Sequence, residues 1–117
     1  MHVILPVVGY VIEYFNSSVQ ADIEAWPAGL KARYRALTLR MADHGSNLGM
    51  PHTRALGGGL LEIRVKSTEG IGRAFYCTLI GRRIVILHGY VKKSVTAPVK
   101  ELRIARNRMN EVLQHGT

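Results

Sequence analysis

Apolar and polar positions along this chain switch between helical and strand period, and each regime predicts its own elements. The opening run Val3 to Val8, broken by Pro6, reads as a strand that continues irregularly towards Ile12. Ser17 and Gln20 have the spacing of a capping box and predict a helix from about Ser18. Val19, Ile23 and Trp26 then share one helical face. Pro27 suits the first position of a new helix better than the interior of an old one, so the chain should bend at Trp26–Pro27. In the second helix Leu30, Tyr34, Leu37 and Met41 form one stripe, Lys31, Arg33, Arg35 and Arg40 take the remaining surface, and Gly45 ends it. A helical hairpin is the simplest arrangement of the two.

From His44 to Gly59 the sequence reads as loop, with Gly45, Asn47, Gly49, Pro51 and three consecutive glycines. Beyond it the period becomes two. Leu61, Ile63 and Val65 alternate with Glu62, Arg64 and Lys66, which predicts a strand with one buried face. Thr68-Glu69-Gly70 predicts a turn, Arg73 to Ile80 a second strand, Gly81-Arg82-Arg83 another turn, and Ile84 to Val91 a third strand. Turns this short make an antiparallel meander. Pro98 opens a last helix with Leu102, Ala105, Met109 and Val112 inward and Lys100, Arg103, Arg106 and Arg108 largely outward. Strand, two helices, three strands and a helix predict an α+β fold: helices over a small antiparallel sheet.

The 117 residues suit one domain spanning 1–117, and 47% hydrophobic content supplies a core without disulfides or a structural metal. The longest apolar run is too short to span a bilayer, and the N-terminus lacks the pattern of a secretory signal. With a single cysteine, Cys77, a reducing cytoplasm is the expected location and no membrane partner is expected. Charge changes the picture more. The net charge is +8; residues 1–60 hold five Lys/Arg against four Asp/Glu, and residues 61–117 hold eleven against four. A field so placed gathers polyanions, which points to nucleic acid or ribosomal RNA. The competing reading is a solvated basic surface.

The chemistry is bounded first by what is missing. Scattered histidines and an isolated Cys77 give no metal-ligand spacing, so neither a metal nor another cofactor is expected. Gly57-Gly58-Gly59 lacks the Lys-Ser/Thr of a nucleotide-binding loop and reads as a flexible turn. Cys77, among Phe75, Tyr76 and Leu79, reads as core. What remains is a basic sheet surface. Arg64 and Lys66 share a strand face, Arg73 begins the next strand, and Lys92-Lys93 closes the third beside His88 and Tyr90. RNA cleavage by its own 2′-hydroxyl needs a base, cations for the phosphorane charge, and an acid for the leaving oxygen. Arg and Lys supply the second requirement; His, Tyr or a Lys of lowered pKa supplies the others. The alternative is again a solvated sheet face.

The stretches Leu60-Leu61-Glu62-Ile63-Arg64, Gly72-Arg73-Ala74-Phe75-Tyr76, Ile84 through Lys93, and Thr96-Ala97-Pro98 leading to Glu101-Leu102 and Ala105 carry a resemblance. In order, they resemble the phage-derived branch of HigB-type toxins in the RelE/ParE superfamily, whose pattern is a GL-x-ELR strand, an R-x-x-Y strand, a strand closed by two lysines and a Pro-led helix. Trp26-Pro27 and Asn47-Leu48-Gly49-Met50-Pro51 extend the likeness over nearly the whole chain. The resemblance implies a RelE-like fold, the toxin half of a type II toxin–antitoxin pair, and a metal-independent endoribonuclease that cuts messenger RNA in the ribosomal A site and so inhibits translation. It implies a helix-turn-helix antitoxin as partner, with messenger RNA and the ribosome as targets.

Carried over by residue, Arg73, Lys92, Arg64 and Lys93 are the expected contacts to the scissile phosphate, and Tyr90 and His88 the nearby acid–base candidates. Lys66, Arg82, Arg83, Lys100 and Arg103 are the expected wider RNA-binding set. Two departures stand out: Glu62 sits where RelE enzymes have a second lysine, and Val99 near where they have a catalytic tyrosine. Two alternatives remain. One is a toxin of the same fold acting on a protein such as DNA gyrase, as ParE toxins do; the other is a non-toxic basic RNA-binding module.

Overall fold

A mixed five-stranded sheet with helices on both faces makes up the described residues, 9–92 and 99–115, of the computed structural model. In chain order the elements are β1 (Val11–Tyr14), α1 (Ser17–Glu24), α2 (Ala28–His44), β2 (Thr53–Gly57), β3 (Leu60–Ser67), β4 (Gly70–Leu79), β5 (Arg83–Lys92) and α3 (Val99–His115). The strands lie in the order β1-β5-β4-β3-β2. The α+β class and the β3–β4–β5 meander are as the sequence predicts. Val3 to Val8, Pro98 and Lys93 lie outside the described residues.

Four expectations need correction. The described first strand is Val11–Tyr14, and it runs parallel to β5, so the sheet is mixed and not purely antiparallel. A hairpin turn forces neighbours to run antiparallel, but β1 reaches the sheet through a helical excursion, which frees its direction. The α1 cap is Asn16, whose side-chain oxygen accepts from the Val19 N–H at 2.9 Å; Ser17 is already helical. Part of the expected 44–59 loop is the edge strand β2, paired with β3 through Thr53↔Ile63 and Arg54↔Glu62. Gly57, which ends it, and Gly58-Gly59, the hairpin turn, have φ of 95°, 65° and 91°, a left-handed succession that only glycine adopts without strain. Finally, Glu62 is not on a solvated face but 1% exposed.

Alternation sends the side chains of β3–β5 to two different layers. One face packs α1 and α2 on Ile63, Val65, Ala74, Tyr76, Ile84 and Ile86. Trp26 and Ile23 press so close to the sheet here that only glycine fits beneath them. A Cβ on Gly72 would lie 2.7 Å from the Trp26 ring, and one on Gly89 would lie 2.7 Å from Ile23. The start of α2 has no side-chain cap of its own. Glu69, on the β3–β4 turn, supplies one by accepting from the Leu30 N–H at 3.2 Å, which ties the turn to the helix.

The other face packs α3, through Ala105, Met109 and Val112, on Leu60, Phe75, Cys77, Val85 and Leu87. A register shift between Phe75 and Tyr76 leaves Leu87 as an extra residue of β5. Before it, odd-numbered β5 residues point towards α3. After it, His88, Tyr90 and Lys92 do. The Leu87 carbonyl freed by the bulge accepts from Arg108 at 2.8 Å. One inserted residue therefore decides which side of the sheet receives the polar end of β5.

Candidate functional site

Beyond the reach of α3's apolar stripe, the α3 face turns polar, and strand register brings its residues together. Arg64 pairs with Arg73, and Arg73 with Tyr90, so three strands contribute one cross-strand row. In the next row Lys66 pairs with Ile71 and Ile71 with Lys92. Directly opposed side chains on one face stand about 5 Å apart at Cβ. A cleft of about 360 Å³ opens over these rows, walled by the loop before β2 and by Leu102 of α3. Its lining holds the cations Arg54, Arg64, Arg73 and Lys92 and one carboxylate, Glu62.

Arg73 is the centre of this arrangement and differs from its expected setting. It is the fourth residue of β4, not its first, and only 7% exposed, not a wet strand end. Its Nε donates to Glu62 at 2.8 Å, a second guanidinium nitrogen donates to the same carboxylate oxygen, and Nη1 donates to the Tyr90 hydroxyl at 2.9 Å. The guanidinium carbon also lies 5.2 Å from the centre of the Phe75 ring and 5.9 Å from that of Tyr90. Burial by itself would lower the Arg73 pKa, but the Glu62 hydrogen bonds and charge, with Tyr90, outweigh it and hold it above its ordinary value. Arg54 binds the other oxygen of Glu62 at 2.7 Å. Glu62 thus clamps two arginines, where the RelE pattern would place a further cation.

Tyr90 and His88 complete the row behind Arg73. Phe75, His88 and Tyr90 stack on the α3 face, and His88 Nε2 lies 2.9 Å from a Glu101 carboxylate oxygen. Burial raises the Tyr90 pKa, against the lowering effect of Arg73, so the hydroxyl stays neutral at physiological pH and accepts from Arg73. Neither residue lines the cleft, so both act on it through Arg73 or α3. By contrast, Arg64 is exposed, Lys92 is half-buried, and neither has an acidic partner among the described residues.

The wider basic set is scattered. Lys66 lies just beyond Arg64 on β3. Arg82 and Arg83 lie at the β4–β5 turn, and Arg83 pairs with Leu79, six residues along β4 from Arg73 or about 20 Å. Arg83 is further engaged by Glu13, with one bond of 2.7 Å. Lys100 and Arg103 are exposed on α3 outside the cleft. Arg106 is occupied with the β2–β3 hairpin, donating to the Leu56 and Gly57 carbonyls. Among the described residues no cluster of three or more His, Cys, Asp or Glu is placed to hold a metal, and no helix is long and apolar enough to cross a membrane.

Sequence reasoning missed three residues here. Arg54 lay in a stretch read as loop. Alternation assigns Glu62 to solvent, but at its level β3 is covered on both faces and only Arg64 and Lys66, further along, are exposed. His52 is the histidine that lines the cleft. Its loop is built: Thr53, 1% exposed, donates to Asn47 at 2.7 Å and accepts from Gly49 N–H at 2.8 Å. The peptide bond between Met50 and Pro51 is cis. The Asn-Leu-Gly-Met-Pro stretch was the available signal.

A helix-flanked mixed sheet with a basic cleft at its polar end is compatible with the RelE-like class of small toxins. The model of the phage-derived Gp49-like proteins (DUF891) matches residues 21–110, and the chain belongs to this family, a RelE/HigB-type toxin-like family. No curated protein matches the chain. Membership implies, in general, an antitoxin partner.

Proposed function

We propose that the protein is the toxin of a HigB-type toxin–antitoxin pair and an endoribonuclease that cleaves messenger RNA on the ribosome, inhibiting translation. The observation that carries this reading is the cross-strand placement of Arg64, Arg73 and Lys92 on one cleft. Charge-assisted N–H donors converging on one spot suit a phosphate whose oxygens gain charge in the transition state. Arg73 is held in place by Glu62 and Tyr90, and its remaining N–H groups serve the phosphate without reorganisation. Arg64 and Lys92 bring unneutralised charge. His52, the imidazole that lines the cleft, is the side chain we assign to take the 2′-hydroxyl proton. His52 takes that proton, the 2′-oxygen bonds to phosphorus as the bond from phosphorus to the 5′-oxygen breaks, the 5′-oxygen takes a proton from water, and a 2′,3′-cyclic phosphate remains. No step is assigned to a metal.

Induced expression tests the reading. Growth should stop while intact messenger RNA disappears, cleaved ends should be cyclic or 3′-phosphates, purified cleavage should survive EDTA, and a cognate helix-turn-helix antitoxin should restore growth. Arrest with intact messenger RNA and accumulating DNA breaks would replace this reading with action on gyrase.

A further inference from the structure

A second groove, of about 400 Å³, runs between α2 and the free part of β3. Its polar lining is Arg33, Arg40, Arg64, Lys66 and His52, with no carboxylate. Arg33 and Arg40 are seven residues apart on α2, hence on one helical face and about 10 Å apart along its axis. Both are exposed, and neither pairs with an acid among the described residues. Four cations around one groove repel each other, a cost that a bound polyanion removes. The backbone adds a donor. The Arg64 N–H is taken by the His52 carbonyl at 2.9 Å, and β2 pairs no further, so the next N–H on that edge, of Lys66, has no strand partner among the described residues.

The two grooves are not independent. Pro51, His52 and Arg64 line both, with Arg64 between them. A strand with one phosphate in the cleft therefore runs directly into the second groove. We propose that the α2–β3 groove is a binding site for single-stranded RNA backbone, in which Arg33, Arg40 and Lys66 hold phosphates flanking the one in the cleft. This rests on the RNA-cleaving reading above and extends it to residues outside the cleft. An acidic peptide would meet the same cations, but the continuity with the phosphate cleft favours a nucleic-acid strand.

The test uses uncleavable 2′-O-methyl RNA, in a short form of about 3 nucleotides and a long form of about 10, within the span of single-strand sites. The long form should bind wild-type protein at least about tenfold more tightly than the short one, with a steeper salt dependence of about 0.7 per added phosphate contact. Arg33→Glu/Arg40→Glu should abolish that gain and the added slope while leaving short-oligonucleotide binding within about twofold. Arg35→Glu, a charge reversal on the opposite side of α2, should retain the gain. If the double variant keeps the length-dependent gain, the groove is not part of the RNA path, and the cleft reading stands without it. If neither oligonucleotide binds wild-type protein, both readings fall. If a poly-glutamate peptide displaces the long RNA from wild type but not from the double variant, and binds more tightly than it, the groove is a peptide site and the proposal is overturned.

Discussion

On the α1/α2 face, β3–β5 present Ile63, Val65, Gly72, Ala74, Tyr76, Ile84, Ile86, Gly89 and Val91. On the α3 face the same strands present Leu60, Phe75, Cys77, Val85 and Leu87 for half their length, then Glu62, Arg64, Arg73, His88, Tyr90 and Lys92. The first face is closed by shape, with Trp26 and Ile23 seated on glycines and Tyr34 joined to Tyr14 at 3.0 Å through their hydroxyls. Burial, and then Tyr14, push the Tyr34 pKa above its ordinary value, so Tyr34 stays neutral. The second face is closed only where α3 is apolar and is left charged where it is not. Apolar packing is concentrated on one side of the sheet and the proposed chemistry at one end of the other, so substitutions should separate them.

On the sealed face the effect is on stability alone. Trp26→Ala should cost about 3–5 kcal/mol in denaturant unfolding. In the same seat Gly89→Ala adds volume and should still destabilise, by about 1–3 kcal/mol, because the Ile23 contact leaves no room. A tolerated Gly89→Ala would mean that the face is loosely packed and the contrast overstated.

On the polar face, Glu62→Ala strands Arg73 in the interior and should cost about 3–5 kcal/mol. Replacing both partners, Glu62→Leu with Arg73→Met, should recover most of that stability while cleavage stays lost. Recovered cleavage would remove Arg73 from the site.

Much of this division was legible. The apolar stripes of α2 and α3, Gly45 as the end of α2, and the β3–β5 meander all follow from period and turn chemistry. The neighbourhood of Arg64, Arg73 and Lys92 comes from strand register, which the sequence does not show: Arg73 lies inside β4 and not at its start. The bulge at Leu87 was not legible, since one extra residue leaves each flanking stretch alternating normally while reversing the face that Tyr90 and Lys92 join. Glu62 was misread for a related reason: alternation reports two faces but not whether the second is covered. β2 is short, and its pairing is set by β3 and not by its own pattern.

Smaller effects sharpen the account. Tyr90→Phe removes one acceptor from Arg73 and should cost about 1 kcal/mol, with only a several-fold fall in cleavage. A loss of about a hundredfold would instead make the hydroxyl the proton donor to the leaving oxygen. Smallest is the half-buried Glu13–Arg83 pair at the far end of the sheet. The Arg83 hydrogen bond, against desolvation, holds Glu13 below its ordinary pKa of 4.5. Its stabilising contribution is therefore present above that value and lost as pH falls through the folded one. Glu13→Gln should be slightly less stable than wild type at neutral pH, and the two melting curves should converge in acid. A gap that persists at low pH would mean that the pair contributes nothing through charge.

The most direct measurement concerns Arg64 and Lys92, the cleft cations with no acidic partner among the described residues. Arg64→Ala/Lys92→Ala leaves both cores and the Glu62–Arg73–Tyr90 bonds in place, so unfolding free energy should change by no more than about 0.5 kcal/mol per substitution. Removing a single donor to a developing oxyanion costs about a hundredfold to a thousandfold in rate. Measured together on the purified protein with translating ribosomes, the double variant should melt as wild type does and cleave messenger RNA at least about a hundredfold more slowly. A double variant that folds normally and cleaves at the wild-type rate would contradict the assignment of this cleft to the chemistry.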